Sequence, residues 1–191
     1  MKIFYLLFSI LILSCDTNEL PKQEAFLRIE FNKPDYKDYN IINTSIGFYY
    51  NSNNVKIQYD GLKSFSFFYP NHSMTIDILN DTIGDLKGIE NNLSDFYSIL
   101  ETHSKKSNGV LMEEYENTKK RVFGKLFELR GDVASPIQFY MTDSVSNFIS
   151  GSLNLNQKSK YDSIYPSIQY IKKDMLVLFE TLNWDYKNEI K

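Results

Sequence analysis

The 191-residue chain is poor in the residues that build covalent or metal-based sites: it has one Cys, two His and one Trp, with eight Gly and five Pro. A single cysteine excludes a disulfide framework within one chain. One Cys with two distant His leaves too few ligands for a structural zinc site or an iron–sulfur cluster, and no cofactor is expected. Glycine is nowhere clustered into a phosphate-cradling loop, and no Gly-x-Ser-x-Gly elbow occurs. The net charge of -3 supplies no basic field for nucleic acid. Apolar residues at 42% and charged residues at 24% exclude wholesale disorder, and the length suits one medium domain. Aromatic residues are plentiful: 14 Tyr and 14 Phe suit a sheet-containing core.

The first residues, MKIFYLLFSILILSC, carry one cation at Lys2 and an apolar run over residues 3–13 broken only by Ser9. That run is shorter than the ~20 residues a membrane span needs, but it fits the apolar part of a secretory signal. It ends in Leu13-Ser14-Cys15, which resembles a bacterial lipobox. There a small residue precedes the cleavage point and the thiol takes the diacylglyceryl thioether. Several acyl chains on Cys15 give stable attachment, where a single chain grips marginally. The expected organisation is a lipoprotein signal peptide (residues 1–14), a lipidated tether (15–24) and one α+β domain (25–191). The expected location is membrane-anchored and facing the periplasm. Asp16 after the Cys leaves inner and outer membrane both open.

Period-two patterning predicts strands over residues 25–31, around Ile46, Phe48 and Tyr50, over 55–59, around Phe65, Phe67 and Tyr69, and around Met74, Ile76 and Ile78. The turn residues 51–54 read as a hairpin joining the second of these to the third. The period then changes. Leu86, Ile89, Leu93, Phe96 and Leu100 form one helical face, predicting a helix over 85–105. Hairpins follow at 110–129 and 136–155. Ile164, Ile168, Ile171, Met175, Leu178 and Leu182 predict a final helix. Asp162 or Ser163 is its expected N-cap, with Pro166 in the first turn. Trp184 is expected to pack back on the domain. Hairpin connections make the sheet largely antiparallel, with two helices covering it. The order resembles the PsbP/Mog1 sandwich.

Reactive constellations are sparse. His72 and His103 are far apart in sequence, and His103 at a helix C-terminus reads as a dipole partner. Ser135, before Pro136, reads as a turn entering a strand, with no base near in sequence. Glu113, Glu114, Glu116, Glu128 and Asp132 read as a solvated sheet face matched by Lys119, Lys120 and Lys125. Asp81-Thr82-Ile83, Asp143-Ser144-Val145 and Asp162-Ser163-Ile164 resemble the Asp-Ser/Thr-apolar acceptor of Bacteroidetes O-glycosylation, at Thr82, Ser144 and Ser163; they equally read as turn and cap pairs.

GDVASPIQFYMTDS (residues 131–144) and YDSIYPSIQYIKKDMLVLFETLNW (161–184) resemble the gliding motility lipoprotein GldD family of the Bacteroidetes. Gly131, Ala134, Ser135, Pro136, Gln138, Phe139 and Asp143 fall on its pattern, as do Tyr161, Asp162, Ser163, Glu180, Thr181 and Trp184. The match is dense from Gly131 onward and looser before it. The resemblance implies a lipoprotein required for surface gliding and associated with the type IX secretion and motility apparatus. Its partners would be other gliding and secretion envelope proteins. The family brings no catalytic residues, so the shared segment is a structural or partner-contact motif. The leading expectation is a non-enzymatic accessory or assembly factor presenting an exposed apolar patch. The alternatives are a small-ligand or glycan binder using Gln138, Tyr140 and Asp143, and a hydrolase using Ser135 or the acidic cluster.

Overall fold

A computed structural model describes residues 30–41, 44–59, 63–83 and 86–185. The elements are β1 (Tyr36–Asn40), β2 (Gly47–Asn51), β3 (Lys56–Tyr59), β4 (Ser64–Tyr69), β5 (Met74–Thr82), α1 (Leu86–Ser104), β6 (Gly109–Asn117), β7 (Val122–Arg130), β8 (Ile137–Thr142), β9 (Asn147–Leu155) and α2 (Tyr161–Thr181). Seven strands form an antiparallel sheet in the order β3-β4-β5-β9-β8-β7-β6, and β1 pairs with β2 in a separate two-stranded ribbon. The fold class is therefore α+β, with a mainly antiparallel central sheet and two helices, an arrangement compatible with the PsbP/Mog1 sandwich.

Strand alternation sorts the side chains by face. Phe65, Phe67, Met74, Ile76, Ile78, Phe139, Ile149 and Leu153 point to one face. There they pack against Ile168, Ile171, Met175, Leu178 and Phe179 of α2 and against Tyr39, Ile46 and Phe48 of the β1–β2 ribbon. A smaller core on the opposite face joins Phe96 and Leu100 of α1 to Phe127, Leu129, Tyr140 and Phe148. The first side is covered over its centre, with Leu111 and Glu113 of β6 left exposed at its end, and the second side is covered in part.

Several sequence expectations are corrected. The strand over 25–31 falls mostly outside the described residues, and Glu30 and Phe31 are irregular. The first strand described, β1, was hidden by its polar composition, YKDYN. Residues 51–54 do not close a hairpin: β2 pairs only with β1, and β3 with β4, so this turn carries the chain between the two sheets. Side-chain bonds decide the outcome, since Asn51 and Asn54 are buried and bonded to α2. Helix α2 starts at Tyr161, a little earlier than its apolar spacing implies. Pro166 thus lies inside the helix, and neither Asp162 nor Ser163 is the N-cap. Instead Asp132 Oδ1, from the β7–β8 loop, accepts the Tyr161 N–H at 2.9 Å, satisfying one orphan donor of the helix start from a distance. Trp184 does pack back: it is buried, and its Nε1–H donates to the Arg121 carbonyl at 2.9 Å.

Gly151 in β9 is one of two glycines of the sheet with no room for a Cβ, the other being Gly124 in β7. A Cβ on Gly151 would stand 2.5 Å from the Phe139 ring and 2.8 Å from the Asp77 carbonyl oxygen. Gly109, at the start of β6, has nothing within 4 Å of the same position. Gly151→Ala is therefore expected to destabilise the protein by about 1–3 kcal/mol through overpacking, while Gly109→Ala is near neutral. Urea unfolding of the two variants checks the contrast.

Candidate functional site

Two buried polar networks on α2 organise the first face. Asp174 is buried, and its carboxylate accepts from Tyr36 Oη at 2.7 Å, Asn51 Nδ2 at 3.0 Å and Tyr69 Oη at 3.1 Å. Burial pushes the Asp174 carboxyl above its ordinary value, and the three donors offset part of that. Burial beside this carboxylate likewise pushes the Tyr69 hydroxyl well up. Tyr170 Oη extends the network, accepting from Asn54 Nδ2 at 2.8 Å and donating to the Asn32 carbonyl at 2.8 Å. His72 packs with the Phe31 and Tyr170 rings, its Nδ1 3.0 Å from Ser167 Oγ, and burial lowers its pKa.

The second network corrects the reading of the acidic cluster. Lys172 Nζ bridges Glu113 at 2.7 Å and Glu128 at 2.8 Å. Glu128 is buried, so this part of the cluster is no solvated face. Burial raises the Glu128 carboxyl, but hydrogen bonds from Lys172 and Tyr161, with the lysine charge, outweigh it and hold the pKa below its ordinary value. Lys125 pairs with Glu114 at 2.8 Å, as the sequence pairing of these strands allows. Lys120 donates to the Glu180 carbonyl oxygen instead of pairing with a glutamate. Lys172 and Asp174 are the residues sequence reasoning missed. Their signal was present: both interrupt or flank the apolar stripe of Ile168, Ile171, Met175 and Leu178.

The shared segment 131–144 ties elements together. Gly131 turns the chain at φ +100, a conformation that favours glycine. Asp132 caps α2, the Ala134 carbonyl accepts from the Leu155 N–H at 2.9 Å, and the Pro136 carbonyl accepts from the Leu129 N–H at 2.8 Å. Ala134 is exposed, Ser135 and Pro136 are buried, and Phe139 lies in the main core. Ser135 Oγ has no hydrogen-bond partner among the described residues. Gln138 is buried and its amide donates to His103 Nδ1 at 2.6 Å, which joins β8 to the end of α1. Asp143 Oδ1 accepts from the backbone N–H groups of Val145, Ser146 and Asn147 at 2.8–2.9 Å, and Oδ2 accepts from Asn147 Nδ2 at 2.7 Å. Burial raises its pKa, but the backbone donors win and lower it. Gln138, Tyr140 and Asp143 therefore do not converge on one pocket.

Ser144 and Ser163 are exposed, Ser144 with φ 62, and Thr82 is the last residue of β5. A groove of about 690 Å³ lies between α1 and strands β6 to β8, where Ile89, Leu93, Phe123 and Tyr140 meet Glu90, Glu114, Glu116 and Lys125. Burial and the neighbouring Tyr97 hydroxyl push the Tyr140 hydroxyl well up. Cavities of about 530 Å³ flank the 131–134 loop, one with Val133, Ala134 and Leu155, the other with Lys106, Asn108, Arg130 and Asp162.

Fold and site together define an α+β scaffold in which Lys172, Asp174, Glu128, Gln138 and Asp143 are engaged in internal bonds. A model of the gliding motility lipoprotein GldD family matches residues 16–184, and the chain belongs to that family. It is thus a lipoprotein of the membrane-anchored envelope class involved in gliding motility. No curated protein matches the chain significantly.

Removing Lys172 leaves Glu128 buried without its counter-charge. Lys172→Met is expected to destabilise the fold by about 3–5 kcal/mol, and Lys172→Met with Glu128→Leu to recover most of the loss. The pair also sets a pH dependence. Because the Glu128 pKa is lower folded than unfolded, its contribution is present above the ordinary value of 4.5 and is lost as pH falls through the folded value. Urea midpoints measured down through that window should fall more steeply in the wild type than in the double variant.

Proposed function

We propose that this protein is a non-enzymatic, lipidated accessory or assembly factor of the gliding motility and type IX secretion-linked machinery. It works by binding another envelope protein. Residues 1–14 serve as the lipoprotein signal peptide, Cys15 carries the acyl chains, residues 15–24 are the tether, and residues 25–191 form one domain facing the periplasm. The family match over residues 16–184 carries this reading. Two structural observations support it. The polar groups that a catalyst would use are engaged in holding the fold, as with Asp143, Gln138 and His103. Apolar side chains stand in water on strand β6 and helix α1, at Leu111, Met112, Tyr97 and Ile99.

Within this reading the segment containing Gly131, Ala134, Ser135, Pro136, Gln138, Phe139 and Asp143 fixes the ends of β7, β8, β9 and α2 in register. Its partner contacts are confined to what it leaves on the surface, chiefly Ala134. The exposed Ser144 and Ser163, with Thr82, are proposed O-glycosylation acceptors. An intact mass above that of the lipidated polypeptide supports modification, and an unmodified mass removes it. The alternative, a small-ligand or glycan binder, finds its volume in the groove beside Tyr140.

The test is in-cell crosslinking of the tagged protein, with Cys15→Ala as control and mass spectrometry as readout. Recovery of motility or secretion components above the control is the expected result. Recovery of none of them rejects the accessory reading in favour of the ligand binder.

A further inference from the structure

The nine-residue strand β6 ends the sheet, and nothing among the described residues hydrogen-bonds its outer edge. In an antiparallel pair alternate N–H and C=O groups point away from the partner strand, so β6 offers a row of unpaired donors and acceptors. Natural edges are usually blunted by Pro, charged side chains (Lys above all), a bulge or a short length. Here the strand GVLMEEYEN contains neither Pro nor Lys, pairs continuously with β7, and is long. Val110, Leu111 and Met112, in its N-terminal half, are 43%, 43% and 50% exposed. The opposite edge, β3, has four residues.

Charge selects the occupant. β6 carries Glu113, Glu114 and Glu116. A second copy paired on the same edge would place two such sets of carboxylates in one ribbon, and like charges across strands are unfavourable. The groove behind the edge repeats the sign, with Glu90, Glu114 and Glu116 against Lys125, which already pairs with Glu114. Its floor is apolar, at Phe123 and Leu93.

We propose that β6 is a strand-addition site for an extended segment of a partner protein, with apolar side chains at alternate positions and Lys or Arg at the flanks. Main-chain bonds to β6 hold the segment. Its alternate apolar side chains continue the face of Met112 toward the groove, and the basic flank at the Glu116 end meets Glu90 and Glu116, which line the same groove. The inference rests on the partner-binding reading above and assigns it a surface.

The test uses the full lipidated chain in nanodiscs, with empty nanodiscs as background and two capped peptides as probes, KTVTVTVTK and ETVTVTVTE, whose flanks share the valine face. Hydrogen exchange is followed along the chain. The lysine-flanked peptide should slow exchange in β6 by about tenfold or more, the glutamate-flanked peptide far less. A central proline, KTVTPTVTK, should abolish the protection. Glu90→Lys with Glu116→Lys, both exposed sites, should reverse the preference between flanks without altering the exchange of β5 and β9. Equal protection by both peptides, protection that survives the proline, or protection elsewhere would overturn the proposal. So would β6 protection that grows with protein concentration alone, which assigns the edge to a second copy. Crosslinking to motility components without any peptide effect at β6 keeps the accessory role and overturns this surface.

Discussion

One carboxylate holds three parts of this molecule together. Asp174 lies on α2 and accepts from Tyr36 on β1, Asn51 on β2 and Tyr69 on β4. A buried carboxylate is tolerated only when its lone pairs are well satisfied, and the donors come from both sheets. The ribbon therefore cannot leave the helix without stranding that carboxylate. Two backbone bonds between Gly47 and Asn183 and one from the Tyr49 N–H to Thr181 Oγ1 close the other end of the same interface. Lys172, two residues from Asp174, fastens the helix to β6 and β7 in the same way. Apolar packing of α2 supplies the bulk of the attraction, while these polar fasteners fix where the helix sits.

The consequence is an asymmetric scaffold. One face of the sheet is packed over its centre by α2 and the ribbon. The other is covered by α1 over Phe127, Tyr140 and Phe148 but not over the outer end at β6. The turn after β8 stays rigid because Asp143 is enclosed by its own loop, and the start of α2 is fixed by Asp132. Under the proposed accessory role, a protein built this way presents a preformed surface to its partner. Little ordering then has to accompany contact, which favours binding by a rigid module.

Much of the fold was legible where periodicity was strong. The alternation of Phe65, Phe67 and Tyr69, the helical stripe from Ile89 to Leu100 and the stripe of α2 all mark buried faces as read. What was not legible depends on long-range pairing. β1 looks like a polar loop because its stability comes from Tyr39 in the core and from Tyr36 on Asp174, 138 residues away. The turn at residues 51–54 has hairpin chemistry, yet Asn51 and Asn54 spend their amides on α2, and the chain changes sheet. Glu128 looks like a surface charge until Lys172 is seen to reach it. In the shared segment, residue identities were visible but their tasks were not, since Asp132 caps a helix that begins 29 residues later.

The central claim is that Asp174 clamps the ribbon and α2 to the sheet as one cooperative unit. Native-state hydrogen exchange of Asp174→Ala tests it directly. The account predicts that amides of β1 and β2 lose protection together with those of α2, while the paired centre of the sheet in β5 and β9 keeps most of its own. Wild-type protection in the ribbon, or an equal loss across every strand, would contradict it.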